Sequence, residues 1–251
     1  MKIIKTGIIP AAGRGNRLSD LPLAKILPKP MLPILNKPIL EYALNNMKAL
    51  GVEVVYMVVG HKKNIIKDYF ENGMDWNVKI EYIEQRNPKG IAHAVSLLED
   101  YVSEPFAVIL GDDLTVSKSI NDIVKTFWKN KAWAVEGVVF EKDVKALKRT
   151  CCLTIDKDGK IVEIEEKPEN PRSCLRGCGI YVFDPCVFEF IENTPFTPPR
   201  NEKEITTTLK MMCEQGKAYA LSIDGANINV NTYEDLVKAA EIIKSKFGER
   251  L

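Results

Sequence analysis

Short apolar runs bounded by glycine, proline or charged residues recur through the first half of the 251-residue chain. They predict strands at residues 3–9, 52–59, 78–83, 106–110 and 134–140. Apolar residues at helical spacing lie between them and predict helices at residues 39–50, 65–71, 91–101 and 120–129. This alternation indicates an α/β fold with βαβ units and a mostly parallel sheet flanked by helices.

The second half of the chain is less regular. It predicts a hairpin over residues 151–164 that turns at Asp158-Gly159, and a short strand at residues 179–183. Helices are expected at residues 186–192, 204–215 and 234–246. There is no internal repeat and no low-complexity linker, so a single domain over residues 1–251 is the simplest interpretation.

The composition is that of an ordinary globular protein, with 45% hydrophobic and 27% charged residues. Because 35 basic residues balance 34 acidic ones, the chain has no overall field that would attract nucleic acid or a membrane surface. The six cysteines lack paired CxxC spacing and indicate reduced thiols rather than a zinc site. Neither a signal peptide nor a membrane span is predicted, so we expect the protein in the cytoplasm.

A loop of small residues follows the first predicted strand. Such residues at the end of a strand let backbone N–H groups approach a polyphosphate, and an arginine adds a fork of donors for its oxygens. The loop residues concerned are Ala11, Ala12, Gly13, Gly15 and Arg17. The loop lacks the third glycine of the dinucleotide fingerprint and the Gly-Lys-Ser/Thr of a P-loop, so by itself it could equally be a tight turn.

The segment from Lys29 to Ile39 reads Lys-Pro-Met-Leu-Pro-Ile-Leu-Asn-Lys-Pro-Ile. Together with the preceding Ala-Ala-Gly-x-Gly-x-Arg-Leu, it closely resembles the glucose-1-phosphate thymidylyl- and uridylyltransferases. The resemblance implies a Rossmann-like sheet of the nucleotide-diphospho-sugar transferase type, with a nucleotide-binding half at about residues 1–130 and a smaller sugar-phosphate-binding half at about 131–251. It also implies that the loop holds a triphosphate, while Arg17 and Lys29 offset charge on the departing pyrophosphate; Lys25 is a weaker claimant for the lysine role.

A second motif runs from Gln85 to Ala94 and matches the family's Gln-x-x-Pro-x-Gly-x-Ala-x-Ala. The resemblance implies that Gln85 and the backbone of Gly90 read a pyrimidine base. An amide offers both a donor and an acceptor, which suits the imide edge of uracil or thymine. The alternative is that Gln85 is simply a polar residue at the end of a strand.

Two carboxylates, Asp112 and Asp113, follow a predicted buried strand. Oxygen ligands at such a strand end suit Mg²⁺, which keeps several waters and bridges to substrate phosphates. The resemblance implies that Asp112 is the ligand, and we expect Asp113 to cap the following turn. Asn229 stands where the family has an aspartate as second metal ligand; its amide oxygen can coordinate Mg²⁺ more weakly.

The sugar-side motifs lie in the second half of the chain. Glu166 and Lys167 match a Glu-Glu-Lys-Pro signature, in which the family's glutamate binds sugar hydroxyls and its lysine the sugar phosphate. Gly179 resembles part of the following sugar-side strand, and Arg200 a residue that contacts the sugar phosphate. Cys151 occupies a position where glucose-using members have a glycine that approaches the sugar with its backbone.

The resemblance implies a Mg²⁺-dependent sugar-1-phosphate nucleotidyltransferase that uses dTTP or UTP and, as the expected sugar, glucose 1-phosphate. A dianionic phosphate needs no general base, which agrees with a chain whose two histidines, His61 and His93, are expected to be ordinary helix or loop residues. The expected partners are the two substrates, with a homo-oligomer left open. The alternatives are a cytidylyl- or guanylyltransferase acting on another phosphate, and a regulatory protein that binds a nucleotide-sugar without making one.

Overall fold

The structure of the chain is a computed structural model, and it describes residues 3–13, 15, 18, 20–198 and 200–247. Its strands are β1 (Thr6–Ala11), β2 (Pro33–Ile34), β3 (Lys37–Pro38), β4 (Val54–Val59), β5 (Lys79–Glu84), β6 (Phe106–Ile109), β7 (Asp113–Val116), β8 (Ala134–Phe140), β9 (Cys151–Ile155), β10 (Ile161–Glu166), β11 (Leu175–Phe183), β12 (Ala218–Ser222) and β13 (Ala226–Asn229). Its helices are α1 (Pro22–Ile26), α2 (Ile39–Ala49), α3 (Lys63–Phe70), α4 (Ile91–Ser96), α5 (Asp122–Asn130), α6 (Val144–Leu147), α7 (Val187–Asn193), α8 (Ile205–Glu214) and α9 (Tyr233–Phe247).

Four parallel strands form the first part of the main sheet, in the order β5-β4-β1-β6. Helices α2, α3 and α4 connect them along the chain, as the alternation of the sequence predicts. Their apolar residues face both ways: in β1, Ile9 packs into one core layer and Ile8 into the other. The mostly parallel α/β sheet predicted from the sequence is therefore confirmed, and the carboxyl ends of these strands share one edge.

Strand β11 joins the two halves of the molecule. It runs antiparallel to β6 on one side and to β8 on the other, while its first residues also meet β9 of the predicted hairpin. The strand begins at Leu175, four residues before the predicted start, because the Leu175–Gly177 segment pairs with the end of β8. Strand β12 then adds to β8 in parallel.

A two-stranded sheet that no local sequence pattern predicts lies beside the main one. It pairs β7 with β13, and Asn229 lies opposite Asp113 in its register. The expectation that Asp113 caps a turn is thus wrong, since this residue begins β7 and is 3% exposed. The reason is that β7 is short and its pairing partner lies more than 100 positions further on, where no local pattern reveals it.

The core has a layer on each face of the main sheet. Helices α2, α3 and α5 bury their apolar sides on one face, and α4, α7 and α8 on the other. A third cluster packs α9, through Ala239 and Ile243, against β7, β13 and the start of α2. These layers cover the body of the sheet and leave the carboxyl edge of the parallel strands open.

Candidate active site

A cavity of about 570 Å³ opens at this edge of the sheet. Every predicted site residue within the described part of the chain lines it: Ala11, Ala12, Gly13, Gly15, Lys29, Gln85, Gly90, Asp112, Glu166, Lys167, Gly179, Arg200 and Asn229. Arg17, the remaining predicted residue, lies outside the described residues. Residues separated by more than two hundred positions therefore face one space.

The small-residue loop passes directly over Lys29. Gly15 has a φ of 66°, and a Cβ at this position would lie 2.7 Å from the Cβ of Lys29. Only glycine combines that backbone conformation with so close an approach. The loop therefore keeps its backbone near Lys29, whose side chain is 10% exposed.

Lys29 lies at the centre of a polar cluster. Its Nζ donates to Oδ2 of Asp112 at 2.5 Å and to Oδ1 of Asn231 at 3.1 Å. The side-chain amide of Asn231 in turn donates to Oδ1 of Asn229. The β7–β13 pairing explains this convergence, because it brings Asn229 opposite the residue that follows Asp112.

The oxygens of this cluster fit a hard divalent cation. The side chain of Asp112 is 34% exposed, so its carboxylate is accessible from the cavity, and the amide oxygen of Asn229 lies in the same cluster. No group of three or more His, Cys, Asp or Glu side chains that could hold a metal occurs among the described residues. A cation here would therefore complete its shell with water and substrate oxygens, which is how Mg²⁺ commonly binds.

Asp113 does not fit as a ligand. Burial and the neighbouring Asp112 raise its pKa well above the usual range, which favours the uncharged carboxyl form, a poor metal ligand. Its Oδ1 has no hydrogen-bond partner in the described structure. We therefore assign the accessible carboxylate of the pair to Asp112 alone.

Gln85 lies at the end of β5 and is 4% exposed. Its Nε2 donates to Nδ1 of His93 at 2.7 Å and to the carbonyl of Gly90 at 3.3 Å. Burial, with the charges of Lys89 and Lys203, lowers the pKa of His93, so the ring is neutral and its Nδ1 can accept. Both amide hydrogens of Gln85 are thus used within the protein, and its carbonyl oxygen is the group left for a ligand.

Gly90 supports this arrangement through its backbone. It has a φ of 101°, and a Cβ there would lie 2.3 Å from the carbonyl oxygen of Lys203. The loop after β5 therefore packs tightly against the segment before α8, which also lines the cavity. The segment predicted to read the base and the segment predicted to bind the sugar phosphate therefore meet at this contact.

A second charged cluster lines the cavity at the end of β10. Nζ of Lys167 contacts Oε1 of Glu166, and it lies 3.8 Å from Oε1 of Glu204. Thr206 donates to the other oxygen of Glu166 at 2.8 Å. Burial, followed by the nearby Glu166, raises the pKa of Glu204. Arg200, 3.9 Å from Glu202, adds a more exposed positive charge at the rim.

Several side chains in or next to the cavity were missed by the sequence analysis: Glu136, Arg176, Glu204, Thr206 and Asn231. Glu204 and Thr206 lie in residues 200–206, Arg-Asn-Glu-Lys-Glu-Ile-Thr, which resemble the family's Arg-Gly-Glu-x-Glu-Ile-Thr with asparagine in place of glycine, so that resemblance could have found them. The others carry no local signal, because their partners are distant in sequence.

Arg176 ties the small sheet, which carries Asn229 of the polar cluster around Lys29, to the main sheet. Its guanidinium is 4% exposed and donates to the side-chain oxygen of Asn227 at 2.7 Å and to its carbonyl at 2.9 Å. The amide of Asn227 donates onward to Thr115 and to the carbonyl of Cys178. This buried network joins β11 to both strands of the small sheet that carries Asn229.

Glu136 is a fully buried acid next to Cys151, which lines the cavity. Its Oε1 accepts from the thiol of Cys151 at 3.4 Å, whereas its Oε2 has no partner in the described structure. Burial raises the pKa of Glu136 to about 8, because a charged carboxylate in an apolar layer would lose its hydration. The side chain is therefore mainly neutral at pH 7.

This pKa makes a testable contribution to stability. Between the ordinary value of 4.5 and about 8, the folded protein binds the Glu136 proton while the unfolded chain has released it. The contribution of this group to the free energy of unfolding therefore falls as pH rises through that window. Relative to the wild type, we expect the free energy of unfolding of Glu136→Gln to rise between pH 5 and pH 8. The rise should be at least about 2 kcal/mol, which is the equivalent of a pKa difference of less than two units.

Denaturant unfolding of both proteins at several pH values measures this difference. The exposed Glu241 of α9 provides the control, since Glu241→Gln should stay parallel to the wild type. A constant difference between Glu136→Gln and the wild type across the window would show that Glu136 is already charged in the folded protein.

Comparisons with known proteins show which family the chain resembles. The sequence model of the family described as "Nucleotidyl transferase" matches residues 6–246. The chain is 36% identical over 241 residues to the "Bifunctional protein GlmU" of Methanocaldococcus jannaschii, covering 96% of this chain and 55% of that protein. It is 33% identical to the "UTP--glucose-1-phosphate uridylyltransferase AglF" of Haloferax volcanii, covering 95% of this chain and 96% of the relative.

A solved structure of UDP-glucose pyrophosphorylase complexed with UDP-glucose has a TM-score of 0.86 and 28% identity, and the match covers 97% of this chain and 100% of that one. The chain spans about half the length of the GlmU relative but nearly all of AglF. No helix among the described residues is long and apolar enough to cross a membrane.

Proposed function

We propose that this chain, which belongs to the nucleotidyl transferase family as a sugar-1-phosphate nucleotidyltransferase, joins a pyrimidine nucleoside triphosphate to a sugar 1-phosphate and releases pyrophosphate. UTP and dTTP are the expected nucleotides, and glucose 1-phosphate is the first sugar to test. One observation carries the proposal: a single cavity is lined by two separate lysines, each paired with a different acid, Lys29 beside Asp112 and Lys167 beside Glu166. Two anionic substrates would each find a positive charge there.

On the nucleotide side, the backbone of the small-residue loop and Arg17 would hold the triphosphate. This loop comprises Ala11, Ala12, Gly13 and Gly15. Lys29, which pairs with Asp112, would also contact a phosphate oxygen. It would thereby neutralise charge on the departing pyrophosphate. The free carbonyl oxygen of Gln85 would accept from the base.

On the sugar side, Glu166 would accept hydrogen bonds from sugar hydroxyls, while Lys167 and Arg200 would hold the sugar phosphate. Gly179 would let the ring approach the backbone of β11. Charge-assisted contacts of this kind fix the orientation of a phosphate. Asp112 and Asn229 would hold Mg²⁺, which when bound supplies charge neutralisation at the triphosphate.

The proposed reaction is a direct displacement at phosphorus. An oxygen of the sugar phosphate attacks the α-phosphorus, a new P–O bond forms, and the bond between the α-phosphorus and the oxygen leading to the β-phosphate breaks. The electron pair of that bond leaves with pyrophosphate. Because the sugar phosphate is already dianionic near pH 7, the residues of the site position and neutralise charge and need not remove a proton.

Pyrophosphate release tests the proposal directly. The purified protein is mixed with Mg²⁺, one of five nucleoside triphosphates and one of several sugar 1-phosphates. We expect release only when both substrates are present, with the nucleotide-sugar formed in equal amount. Binding of a nucleotide-sugar without any turnover would instead indicate a protein that binds such a ligand but does not make it.

The division of the cavity into two halves gives a further prediction. Lys167→Met should raise the KM for sugar 1-phosphate by roughly tenfold or more, because a charge-assisted contact is lost. Affinity for the free triphosphate, measured by calorimetry with Mg²⁺, should stay within about twofold, since this lysine lies on the sugar side. The exposed Lys157, in the hairpin turn at the far end of β10, provides the control variant Lys157→Met. Loss of triphosphate binding in Lys167→Met would contradict the placement of the two substrates.

A further inference from the structure

Asn231 contacts two of the residues that the proposed reaction uses. Its Oδ1 accepts a hydrogen bond from Nζ of Lys29 at 3.1 Å, and its side-chain amide donates to Oδ1 of Asn229. Asn231 is half-buried and is among the residues that line the cavity. One side chain therefore links the lysine of the polar cluster to the amide of Asn229.

The chemistry of these three groups fixes the direction of both hydrogen bonds. An ammonium has donors only, so Asn231 must turn its oxygen toward Lys29. The nitrogen of the same amide then faces Asn229 and requires an acceptor there. If the amide of Asn229 turned over, two NH₂ groups would face each other. The orientation of Asn229, with its oxygen inside the polar cluster, thus depends on Asn231.

Lys29 is held by two acceptors of different charge. Asp112 accepts one of its three ammonium hydrogens at 2.5 Å, and Asn231 accepts a second. Because the amide of Asn231 is neutral, this second contact adds no negative charge that would repel a triphosphate. The ammonium is therefore fixed in place while only one anion offsets its charge.

The backbone around Asn231 is itself anchored. Oδ2 of Asp235 accepts from the backbone N–H groups of Asn231 at 2.9 Å and Thr232 at 2.8 Å, and the N–H of Asp235 donates to Oγ1 of Thr232 at 3.2 Å. This reciprocal pattern is a capping box at the start of α9, with aspartate in the usual place of glutamate. The backbone N–H of Val230 donates to the carbonyl of Asp112 at 3.3 Å. Position 231 is thus tied both to the first turn of α9 and to the segment that carries Asp112.

We propose that Asn231 is a positioning residue for the proposed reaction, on which this inference rests: it holds the ammonium of Lys29 beside Asp112 and orients the amide of Asn229 so that its oxygen is available to a divalent cation. Asn231 acts through these partners. Residues that orient a metal ligand from behind typically change metal affinity or activity by roughly 10- to 100-fold when they are removed.

Asn231→Ala tests this role, because it removes both of these hydrogen bonds and introduces no new polar group. At saturating substrates, kcat for pyrophosphate release should fall at least about tenfold, while the KM for sugar 1-phosphate stays within about twofold because other residues hold that substrate. Affinity for Mn²⁺ alone, measured by electron paramagnetic resonance, should also fall about tenfold. Asn64→Ala, at an exposed asparagine of α3, is the matched control and should leave all three quantities unchanged.

Double-mutant cycles show whether Asn231 acts through its two partners. In an Asn229→Ala background, Asn231→Ala should lower the Mn²⁺ affinity by less than about twofold, because the amide that it orients is already absent. In a Lys29→Met background at saturating Mg²⁺, it should lower the residual kcat by less than about twofold for the same reason. Denaturant unfolding establishes that each variant is folded under the assay conditions. Asn231→Ser, whose hydroxyl lies one bond short of both partners, should behave like Asn231→Ala and provides a second variant.

The outcomes separate this inference from the proposed function. Wild-type turnover together with fully additive effects in either cycle, or with an unchanged kcat in Asn231→Ala, would overturn the inference and leave the function standing. A loss of stability that changes kcat and both KM values alike would show a merely structural role and would also overturn it. No pyrophosphate release by the wild type from any of the sugar 1-phosphates would reject the proposed function and the inference with it.

Discussion

Asp112→Asn is expected to reduce turnover at saturating substrates by at least about 100-fold, or about 2.7 kcal/mol of activation free energy. Asp112 provides the accessible carboxylate of the polar cluster around Lys29. Its Oδ2 already forms an ion pair with the positively charged Lys29. Replacing this carboxylate by an amide next to Asn229 leaves no negative side-chain ligand in that cluster. Mg²⁺ would then bind to two amide oxygens, which is a much weaker site.

The fold should survive this change, because Asp112 is partly exposed and asparagine has almost the same shape. Steady-state pyrophosphate release gives the turnover, and Mn²⁺ binding followed by electron paramagnetic resonance gives the metal affinity without reference to activity. Asp75→Asn, at an exposed aspartate outside the cavity, is the matched control. Near-normal turnover in Asp112→Asn would place the metal ligands elsewhere in the chain.

UTP and dTTP are expected to exceed ATP and GTP by about 100-fold in kcat/KM, since a mismatched base would leave buried polar groups unpaired. The hydrogen bonds of Gln85 add an expectation for CTP, which should be used less well than UTP. Its amide hydrogens are held by His93 and Gly90, so its side-chain carbonyl oxygen would face a bound base as an acceptor. The N3–H of uracil or thymine can donate to that oxygen, whereas N3 of cytosine is itself an acceptor.

A variant at His93 tests this explanation independently of pocket shape. His93→Ala removes one of the two groups that hold the amide of Gln85, and the amide can then turn its nitrogen toward the base. The preference for UTP over CTP should fall several-fold in this variant. An unchanged preference would show that another group reads the base edge, and a wild-type preference for a purine triphosphate would exclude the assignment of Gln85.

Most of the parallel half of the fold could be predicted, because its strands and helices have strong local periodicity. The loop after β1, Gln85 after β5 and Asp112 after β6 follow from the rule that ligand-binding residues gather at the carboxyl ends of parallel strands. Their placement in one cavity was expected on that basis. Their roles in catalysis rest on the family resemblance and stay predictions.

What the sequence did not reveal depends on pairing between distant segments. Strand β7 is four residues long, and its partner β13 reads Ala-Asn-Ile-Asn, which has no distinctive strand pattern. The contact between Lys29 and Asn231 joins residues 202 positions apart. The buried acid Glu136 lies in the middle of an apolar strand, where only the three-dimensional neighbourhood shows that it reaches the thiol of Cys151.

The pairing of β7 with β13 also has a consequence for how the protein is made. When a ribosome has released the chain as far as α5, the parallel strands β5-β4-β1-β6 can already assemble from contiguous sequence. Strand β6 still lacks β11 on its open side, and β7 lacks its partner altogether. Contacts of such long sequence separation form late, because chain entropy opposes closing the large loop. The nascent protein therefore completes the cluster around Lys29 only after residues 226–231 have emerged. A prematurely terminated chain would have the four parallel strands but an incomplete polar cluster around Lys29.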